Sequence, residues 1–174
     1  MSHAAAEFKP LNIAVLTVSD TRTAETDSSG AWLAESLQSA GHTLADKQIV
    51  IDDIYQIRAT LSRWIASSSV QAVIVTGGTG FTGRDTTPEA VKPLFDKEVE
   101  GFGELFRQVS YSEIGTSTIQ SRALAGLANR TIIFCLPGSN NACRTGWEQI
   151  IAPQLDARTR PCSFVMHLKS GVAS

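Results

Sequence analysis

The sequence lacks the cysteine and histidine patterns of disulfide frameworks, zinc sites and catalytic triads. Its three cysteines, Cys135, Cys143 and Cys162, are an odd number and form no Cys-x-x-Cys pair. We therefore expect reduced thiols in a reducing compartment, with Cys135 buried inside the apolar run 131–136. The three histidines are scattered, so the spacing of a zinc site, or of a nucleophile beside its histidine base, is missing.

The chain also has little excess charge and no long apolar run. Its 15 Lys and Arg stand against 17 Asp and Glu, with an isoelectric point near 5.9, whereas nucleic-acid-binding surfaces are strongly positive. The apolar runs fall far short of the ~20 residues that span a bilayer, and the N-terminus has no basic segment followed by an apolar one. We expect a soluble, cytoplasmic protein with no nucleic-acid partner and no membrane association.

Short apolar segments alternate with segments of helical periodicity. Strands are predicted over 11–18, 45–51, 71–76 and 131–136, and helices over 28–40, 53–67 and 102–114. The strands 11–18 and 71–76 are apolar on both faces, which is typical of a parallel sheet covered by helices on both sides. The alternation predicts one α/β domain over 11–160, with an N-terminal extension at 1–10. The apolar residues of the C-terminal tail, 161–174, predict packing on the body or on a neighbouring subunit.

The segment TGGTGFTGRDTTPEA, residues 76–90, is the most informative stretch of the chain. Gly78, Gly80 and Gly83 satisfy Gly-x-Gly-x-x-Gly, but the stretch follows the third predicted strand and its helix starts late, which does not fit a dinucleotide fold. The same glycines have P-loop spacing, yet Arg84 and Asp85 stand where Lys and Ser or Thr belong. A tight turn without a ligand is the simpler alternative for such a loop.

The end of this segment predicts a helix start that places Asp85 on the loop. Thr87 is the expected cap, Pro88 the first helical residue and Glu89 a first-turn acid. Other polar loops follow the remaining strands, at 19–30, at Asp52 and at 137–142, and the carboxyl ends of parallel strands share one edge. Glycine backbone suits phosphate whereas aspartate repels it, so the combination predicts a divalent cation, Mg²⁺, between them.

Four of these elements resemble, in order and spacing, one family of molybdenum-cofactor biosynthesis proteins. The elements are TVSD followed by D-x-S-G, GGTG followed by DTTPEA, IGTSTIQSRALAG, and LPGSNNA. They are similar to those of the MoaB and MogA proteins and of the related gephyrin domain, and the ending IIAPQLDARTRPC favours the MoaB branch. The resemblance implies a three-layer α/β sandwich with a mostly parallel sheet, the molybdopterin-binding (MogA-like) fold, assembled as a homo-trimer or homo-hexamer.

The resemblance also implies an activity and a set of site residues. In the MogA-like reaction, the terminal phosphate of molybdopterin attacks the α-phosphate of Mg-ATP, which gives adenylylated molybdopterin and pyrophosphate. Asp85 and Asp52 match the functional aspartates, and we expect them to be catalytic and to hold Mg²⁺. Residues expected to bind molybdopterin or the nucleotide are Ser19, Asp20, Gly77, Gly78, Thr79, Gly80, Ser121, Arg122, Pro137, Gly138 and Ser139.

Several of these residues have a purely structural alternative. Asp85 and Asp52 can each be helix caps, and Ser121 can face a helix interior. Trp32 and Trp64 lie on apolar helix faces and are predicted to be core.

Other observations bear on assembly and on catalysis. The helical spacing of Phe102, Phe106 and Val109 predicts core residues, whereas the resemblance to an oligomeric family makes an oligomer interface the alternative. Ile51 and Asn140 replace prolines of the MogA pattern, which keeps open a second possibility, a protein that binds molybdopterin without catalysis.

Overall fold

Six strands form one mostly parallel sheet in the computed structural model, which describes residues 6–172. The strands are β1 (Asn12–Val18), β2 (Thr43–Val50), β3 (Ala72–Thr76), β4 (Lys97–Glu98), β5 (Leu124–Ala128) and β6 (Thr131–Leu136). Their order across the sheet is β2-β1-β3-β6-β5-β4. Strands β2, β1, β3 and β6 are parallel, whereas β5 runs antiparallel to β6 and β4 antiparallel to β5.

The helices connect these strands and cover both faces of the sheet. They are α1 (Ser28–Ser39), α2 (Ile54–Ala66), α3 (Thr87–Val91), α4 (Glu100–Ile114), α5 (Asn140–Gly146) and α6 (Ala152–Gln154). A π-helical segment, Trp147–Ile151, joins α5 to α6, and 3₁₀ turns lie at Lys92–Leu94, Gly115–Gln120 and Phe164–His167. Asp27 caps α1 by accepting from the Gly30 amide.

Two apolar layers separate the helices from the sheet, because neighbouring strand residues point to opposite faces. Ile13 and Val15 belong to the layer that packs against α1 and α4, whereas Ala14 and Leu16 belong to the layer under α2 and α3. Each fully buried aliphatic side chain of this kind contributes roughly 1.5–3 kcal/mol. The three-layer α/β fold expected from the resemblance is therefore confirmed.

The large side chains with alternative interpretations are resolved in favour of the core. Phe102, Phe106 and Trp64 are at most 4% exposed, and Val109 packs partly buried against the same layer as the two phenylalanines. Trp32 is half-buried, with the Arg144 guanidinium 5.4 Å from its ring centre. The cysteines Cys135, Cys143 and Cys162 are all free thiols, and complete burial raises the pKa of Cys135.

The strands β4 and β5 are absent from the prediction. The sequence of β5 is LAGLA, and alanine and glycine are depleted in strands, so its composition carries no strand signal. Gly126 is present because the Phe95 ring lies directly against its Cα and leaves no space for a side chain. The strand is thus specified by packing of its neighbours rather than by its own residues.

The C-terminal tail packs on the body, at the amino ends of the strands. Leu168 is 4% exposed and joins the core, and the Gln71 side-chain amide donates to the Lys169 carbonyl at 2.9 Å. The Lys169 ammonium donates to the carbonyls of Ile65 and Ser67, at 2.9 and 2.7 Å. Within residues 6–172, no helix is both long enough and apolar enough to cross a membrane.

Candidate functional site

The polar loops singled out in the sequence meet at one edge of the sheet. The parallel strands β1, β2, β3 and β6 end there, which brings Ser19, Asp20, Asp52, the glycine loop 77–85 and the loop 137–139 to the same side. Ser121 and Arg122 reach this edge from the opposite direction, because β5 is antiparallel and begins where its neighbour β6 ends. This edge is where ligands bind in open α/β sheets.

Two glycines with positive φ begin the loop after β3. Gly77 has φ +101° and Gly78 has φ +70°, conformations that residues with a side chain rarely adopt. A Cβ at Gly77 would also overlap the carbonyl oxygen of Val18 at the end of β1. The backbone of this loop is therefore pressed against the neighbouring strand.

The helix start that follows differs from the prediction in one respect. Thr87 was expected to cap α3, but Thr86 occupies the cap position and makes no side-chain cap hydrogen bond. The Thr87 hydroxyl donates instead to the Gly77 carbonyl at 2.9 Å, and its amide donates to the Gly78 carbonyl at 3.0 Å. The cap prediction was wrong because the buried Thr87 hydroxyl serves the glycine loop rather than its own helix.

Asp85 lies on the glycine loop itself. Its Oδ2 accepts from the Thr82 amide at 2.9 Å and from the Thr82 hydroxyl at 2.7 Å. The Thr82 hydroxyl is the largest cause that holds the pKa of Asp85 below its ordinary value, and the Thr82 and Gly80 amides and Arg122 act in the same direction. Asp85 thus presents a negative carboxylate on the loop and is not a helix cap.

Asp52 stands behind the loop and is 6% exposed. Its Oδ1 accepts from the Thr86 amide at 3.0 Å and from the Thr86 hydroxyl at 2.5 Å. A Cβ at Gly78 would lie 2.8 Å from the Asp52 Oδ2, so the glycine backbone covers this carboxylate. The cap of α2 is Asp53, which accepts from the amides of Tyr55 and Gln56; Asp52 therefore anchors the residue that follows Asp85.

Asp20 and Arg84 form an ion pair across the outer side of the loop. The Arg84 Nε and a terminal nitrogen donate to the two carboxylate oxygens of Asp20 at 2.9 and 2.7 Å, a bidentate arrangement. Asp20 also accepts from the Asp52 amide at 3.0 Å. Hydrogen bonding from Arg84, followed by that from the Asp52 amide, lowers the pKa of Asp20 from 3.8 to about 2.

Arg122 is bonded to the backbone of the glycine loop. Its guanidinium donates to the carbonyl of Gly80 at 2.9 Å and to that of Asp85 at 2.7 Å, and it forms an ion pair with Glu89. Its charged group also lies 5.2 Å from the centre of the Phe81 ring. Arg122 is thus engaged with protein groups on both sides of Asp85.

The loop after β6 is tied to the start of α1. Ser139 caps α5 through the Ala142 amide, and the Asn140 side-chain oxygen accepts from the hydroxyls of Ser28 and Ser29, at 3.0 and 2.5 Å. The Ser29 hydroxyl also approaches the Gly138 carbonyl at 2.9 Å. Asn140, which replaces a proline of the MogA pattern, therefore holds this loop in place by hydrogen bonds.

A cavity of about 460 Å³ opens between the glycine loop and α4, within the size range of small-molecule sites. Of the predicted site residues, those that line it are Gly77, Gly78, Thr79, Gly80, Asp85, Ser121, Pro137 and Gly138. Those that do not line it are Ser19, Asp20, Asp52, Arg122 and Ser139. Ser19 borders a separate cleft of about 70 Å³ on the other side of Gly77.

Sequence reasoning missed the opposite wall of the cavity, which α4, the turn after it and α5 supply. Its residues are Phe106, Ser110, Glu113, Ile114, Ser117, Gln120, Asn141, Ala142 and Thr145. Ser110, Glu113 and Ser117 recur at helical spacing among apolar residues of the predicted helix 102–114 and just beyond it. This polar stripe was a signal that the prediction did not use.

The cavity is acidic rather than basic. Asp85 and Glu113 are the acidic residues of its wall, and the described residues that line it include no Lys or Arg. Within residues 6–172, no group of three or more His, Cys, Asp or Glu side chains could hold a metal by itself. Since Mg²⁺ is commonly bound by one or two carboxylates together with substrate phosphates, Asp85 is the residue here that fits such an ion.

The sequence matches known proteins along nearly its whole length. The family model described as "Probable molybdopterin binding domain" matches residues 14–157, which lie inside the predicted domain 11–160. The Molybdenum cofactor biosynthesis protein B of Escherichia coli strain K12 is 62% identical over 169 residues, 97% of this chain and 99% of that protein. The protein of the same name from Bacillus subtilis is 44% identical over 142 residues, 81% and 84% of the two chains.

Solved structures give the same picture. A crystal structure of a Molybdenum cofactor biosynthesis protein B superposes with a TM-score of 0.82 at 44% identity, covering 88% of this chain and 94% of that one. The tungsten cofactor synthesizing protein MoaB from Pyrococcus furiosus superposes at 0.74 and 41% identity, covering 83% and 92%. A MogA structure superposes at 0.72 and 28% identity, covering 83% and 99%. The fold that positions the cavity is thus shared with all three.

Proposed function

Because this chain belongs to the family of probable molybdopterin-binding domains and its relatives are molybdenum cofactor biosynthesis proteins, we propose that it adenylylates molybdopterin with Mg-ATP. A phosphoanhydride bond forms between the terminal phosphate of molybdopterin and the α-phosphorus of ATP. The bond between the α- and β-phosphates breaks, and pyrophosphate leaves. The observation that carries the proposal is Asp85, a carboxylate on a glycine loop that lines the cavity.

The reaction asks the protein mainly to position two phosphates in line and to offset their charge. The glycine loop lets a phosphate contact the main chain directly, because Gly77 and Gly78 line the cavity and have no side chain. Asp85 is the residue that would hold Mg²⁺, and this ion would neutralise phosphate oxygens in the adenylyl transfer. Asp52 acts one residue away, by fixing Thr86 and thereby the direction of Asp85.

The proposal is tested by incubating the protein with molybdopterin, ATP and Mg²⁺ and measuring adenylylated pterin and pyrophosphate. Asp85→Asn should lower turnover by at least roughly 100-fold, about 2.7 kcal/mol of barrier, with the fold intact. Asp96→Asn is the matched control: Asp96 also accepts from a loop amide, that of Asn129, but lies outside the cavity wall. Equal turnover in wild type and Asp85→Asn would remove Asp85 from the reaction.

A second function, molybdopterin binding without catalysis, is favoured by the charges around the cavity. A triphosphate needs several positive groups, yet among the described residues no Lys or Arg lines the wall, and Arg84 and Arg122 are engaged with Asp20 and with the loop. Calorimetry with each ligand alone distinguishes the two functions. Tight molybdopterin binding with no ATP binding and no pyrophosphate release would identify the binding protein.

A further inference from the structure

The cavity is lined by two chemically different groups of residues. One group is the backbone of Gly77 to Gly80 and the carboxylate of Asp85, on the glycine loop. The other is Glu113, near the end of α4, with polar side chains of α5 beside it. A ligand that contacts both groups must carry different chemical groups toward each.

Glu113 is held in a fixed position by α5. Its Oε2 accepts from the Asn141 side-chain amide at 2.7 Å, and the Thr145 hydroxyl reaches both carboxylate oxygens at 2.9 and 3.0 Å. One hydroxyl hydrogen and one amide hydrogen thus occupy part of a carboxylate that has about four acceptor positions. Capacity remains for two further donors from the cavity.

The surroundings of Glu113 favour a flat, partly apolar group rather than a second phosphate. Ile114 and Pro137 line the cavity with it, and the described residues of the wall provide no positive side chain that would offset phosphate charge near Glu113. The Glu113 carboxylate would repel a phosphate, whereas it would accept hydrogen bonds from two adjacent N–H donors of a ring.

We propose that Glu113 is a specificity residue that accepts two hydrogen bonds from the 2-amino-4-oxopyrimidine edge of a pterin ring. This edge presents an amino N–H and a ring N–H side by side, which match the two oxygens of one carboxylate. The phosphate end of the same ligand then lies at the glycine loop, next to Asp85. The inference rests on the proposed function, because it assigns the orientation of molybdopterin within that cavity.

Replacing the amino group of the ligand by a carbonyl tests the inference directly. The probes are 6-hydroxymethylpterin phosphate and its 2-oxo analogue, which has an acceptor where the pterin has a donor. Binding is measured by titration calorimetry without ATP. Wild type should bind the pterin at least tenfold more tightly than the 2-oxo compound, because that compound sets an acceptor against the Glu113 carboxylate.

Glu113→Gln should reduce this preference to about twofold or less, since a glutamine amide can donate to the 2-oxo group as well as accept. Glu104→Gln on the same helix is the matched control, because Glu104 borders a different groove and should leave the preference unchanged. If Glu113 only tied α4 to α5, Thr145→Val and Glu113→Gln would alter stability alike, and neither would change the ratio of the two affinities.

Two outcomes overturn the inference. One is an unchanged preference in Glu113→Gln, and the other is a wild-type protein that binds the pterin probe no better than the 2-oxo analogue. Molybdopterin binding and pyrophosphate release, measured in parallel on wild type, decide the proposed function separately. A protein that adenylylates molybdopterin but shows no preference between the probes keeps the function and loses the assignment of Glu113.

Discussion

At the scale of single residues, Asp52 and Asp85 contribute in different ways to the glycine loop. Asp85 lines the cavity, whereas Asp52 is 6% exposed and accepts two hydrogen bonds from Thr86 with one carboxylate oxygen. A nearly buried carboxylate with two donors is costly to remove, because both donors then lose their hydrogen-bond acceptor. Asp52 therefore fixes the position of Thr86, the residue next to Asp85.

Asp52→Ala should lower the free energy of unfolding by about 1–3 kcal/mol, because it leaves the partly buried Thr86 amide and hydroxyl without their acceptor. Chemical denaturation of Asp52→Ala, Thr86→Val and the double variant measures the coupling between the two side chains. The double variant should lose less than the sum of the two single losses. Asp53→Ala, which removes the α2 cap, should be additive with Thr86→Val. Additivity for Asp52 as well would show that it does not anchor Thr86.

The Asp20 carboxylate should titrate unusually low in the folded protein. Its folded pKa of about 2 lies below 3.8, so its contribution to stability is present above about pH 4 and is lost as the pH falls toward 2. Carbon-detected NMR should give this low pKa in wild type and a pKa nearer 3.8 in Arg84→Gln. Glu25, whose pKa is lowered by the Thr23 hydroxyl, serves as an internal control and should not respond. The same Asp20 pKa in wild type and in Arg84→Gln would rule out the ion pair in solution.

At the scale of elements, the tightest constraint is the turn from β3 into the glycine loop. Gly77→Ala should cost at least about 2 kcal/mol, because φ +101° is strained for alanine and the new methyl group overlaps the Val18 carbonyl. Gly83→Ala in the same loop is the control, since nothing lies within 4 Å of its added carbon. Denaturation midpoints of the two variants give the comparison. Similar midpoints would mean that the loop does not require the close approach to β1.

The elements that could be predicted from sequence are those in which apolar residues form a continuous run or recur at helical spacing. Strand β6 has the predicted bounds 131–136, and helices α1 and α2 begin and end within one residue of prediction. Strand β5 could not be predicted, because the glycine at its centre, Gly126, is required by the Phe95 ring, a contact from outside the strand. The cap at Thr87 failed for a similar reason, since a contact ten residues away along the chain decides where its hydroxyl goes.

The candidate site could be predicted in part, and the limit is again tertiary contact. The glycine loop and Asp85 follow from the local motif and from the rule that parallel strands end at a common edge. Glu113 could not be placed there, because its approach to Asn141 and Thr145 depends on how α4 packs beside α5. Sequence also could not show that the Arg122 side chain contacts Glu89 and the Gly80 carbonyl.

At the scale of the whole molecule, different parts of the chain lie at the two ends of the sheet. The carboxyl ends of the parallel strands border the cavity, whereas the tail packs at the amino ends through contacts such as Asn12 Nδ2 to the Gly171 carbonyl, 3.1 Å. The helix α4 and the turn that follows it also carry exposed apolar side chains.

The trimer or hexamer expected from the resemblance should form through exposed apolar side chains of α4 and of the turn that follows it. Leu105, Tyr111 and Ile119 are 43–74% exposed there, and burying such side chains between copies would stabilise an assembly. Sedimentation velocity should give three or six times 18.6 kDa for wild type. The double variant Leu105→Glu/Tyr111→Glu should approach 18.6 kDa, because it places charges in a desolvated contact. Tyr55→Glu, on the opposite face of the molecule, should keep the wild-type mass. A wild-type monomer, or an unchanged mass in the double variant, would contradict this interface.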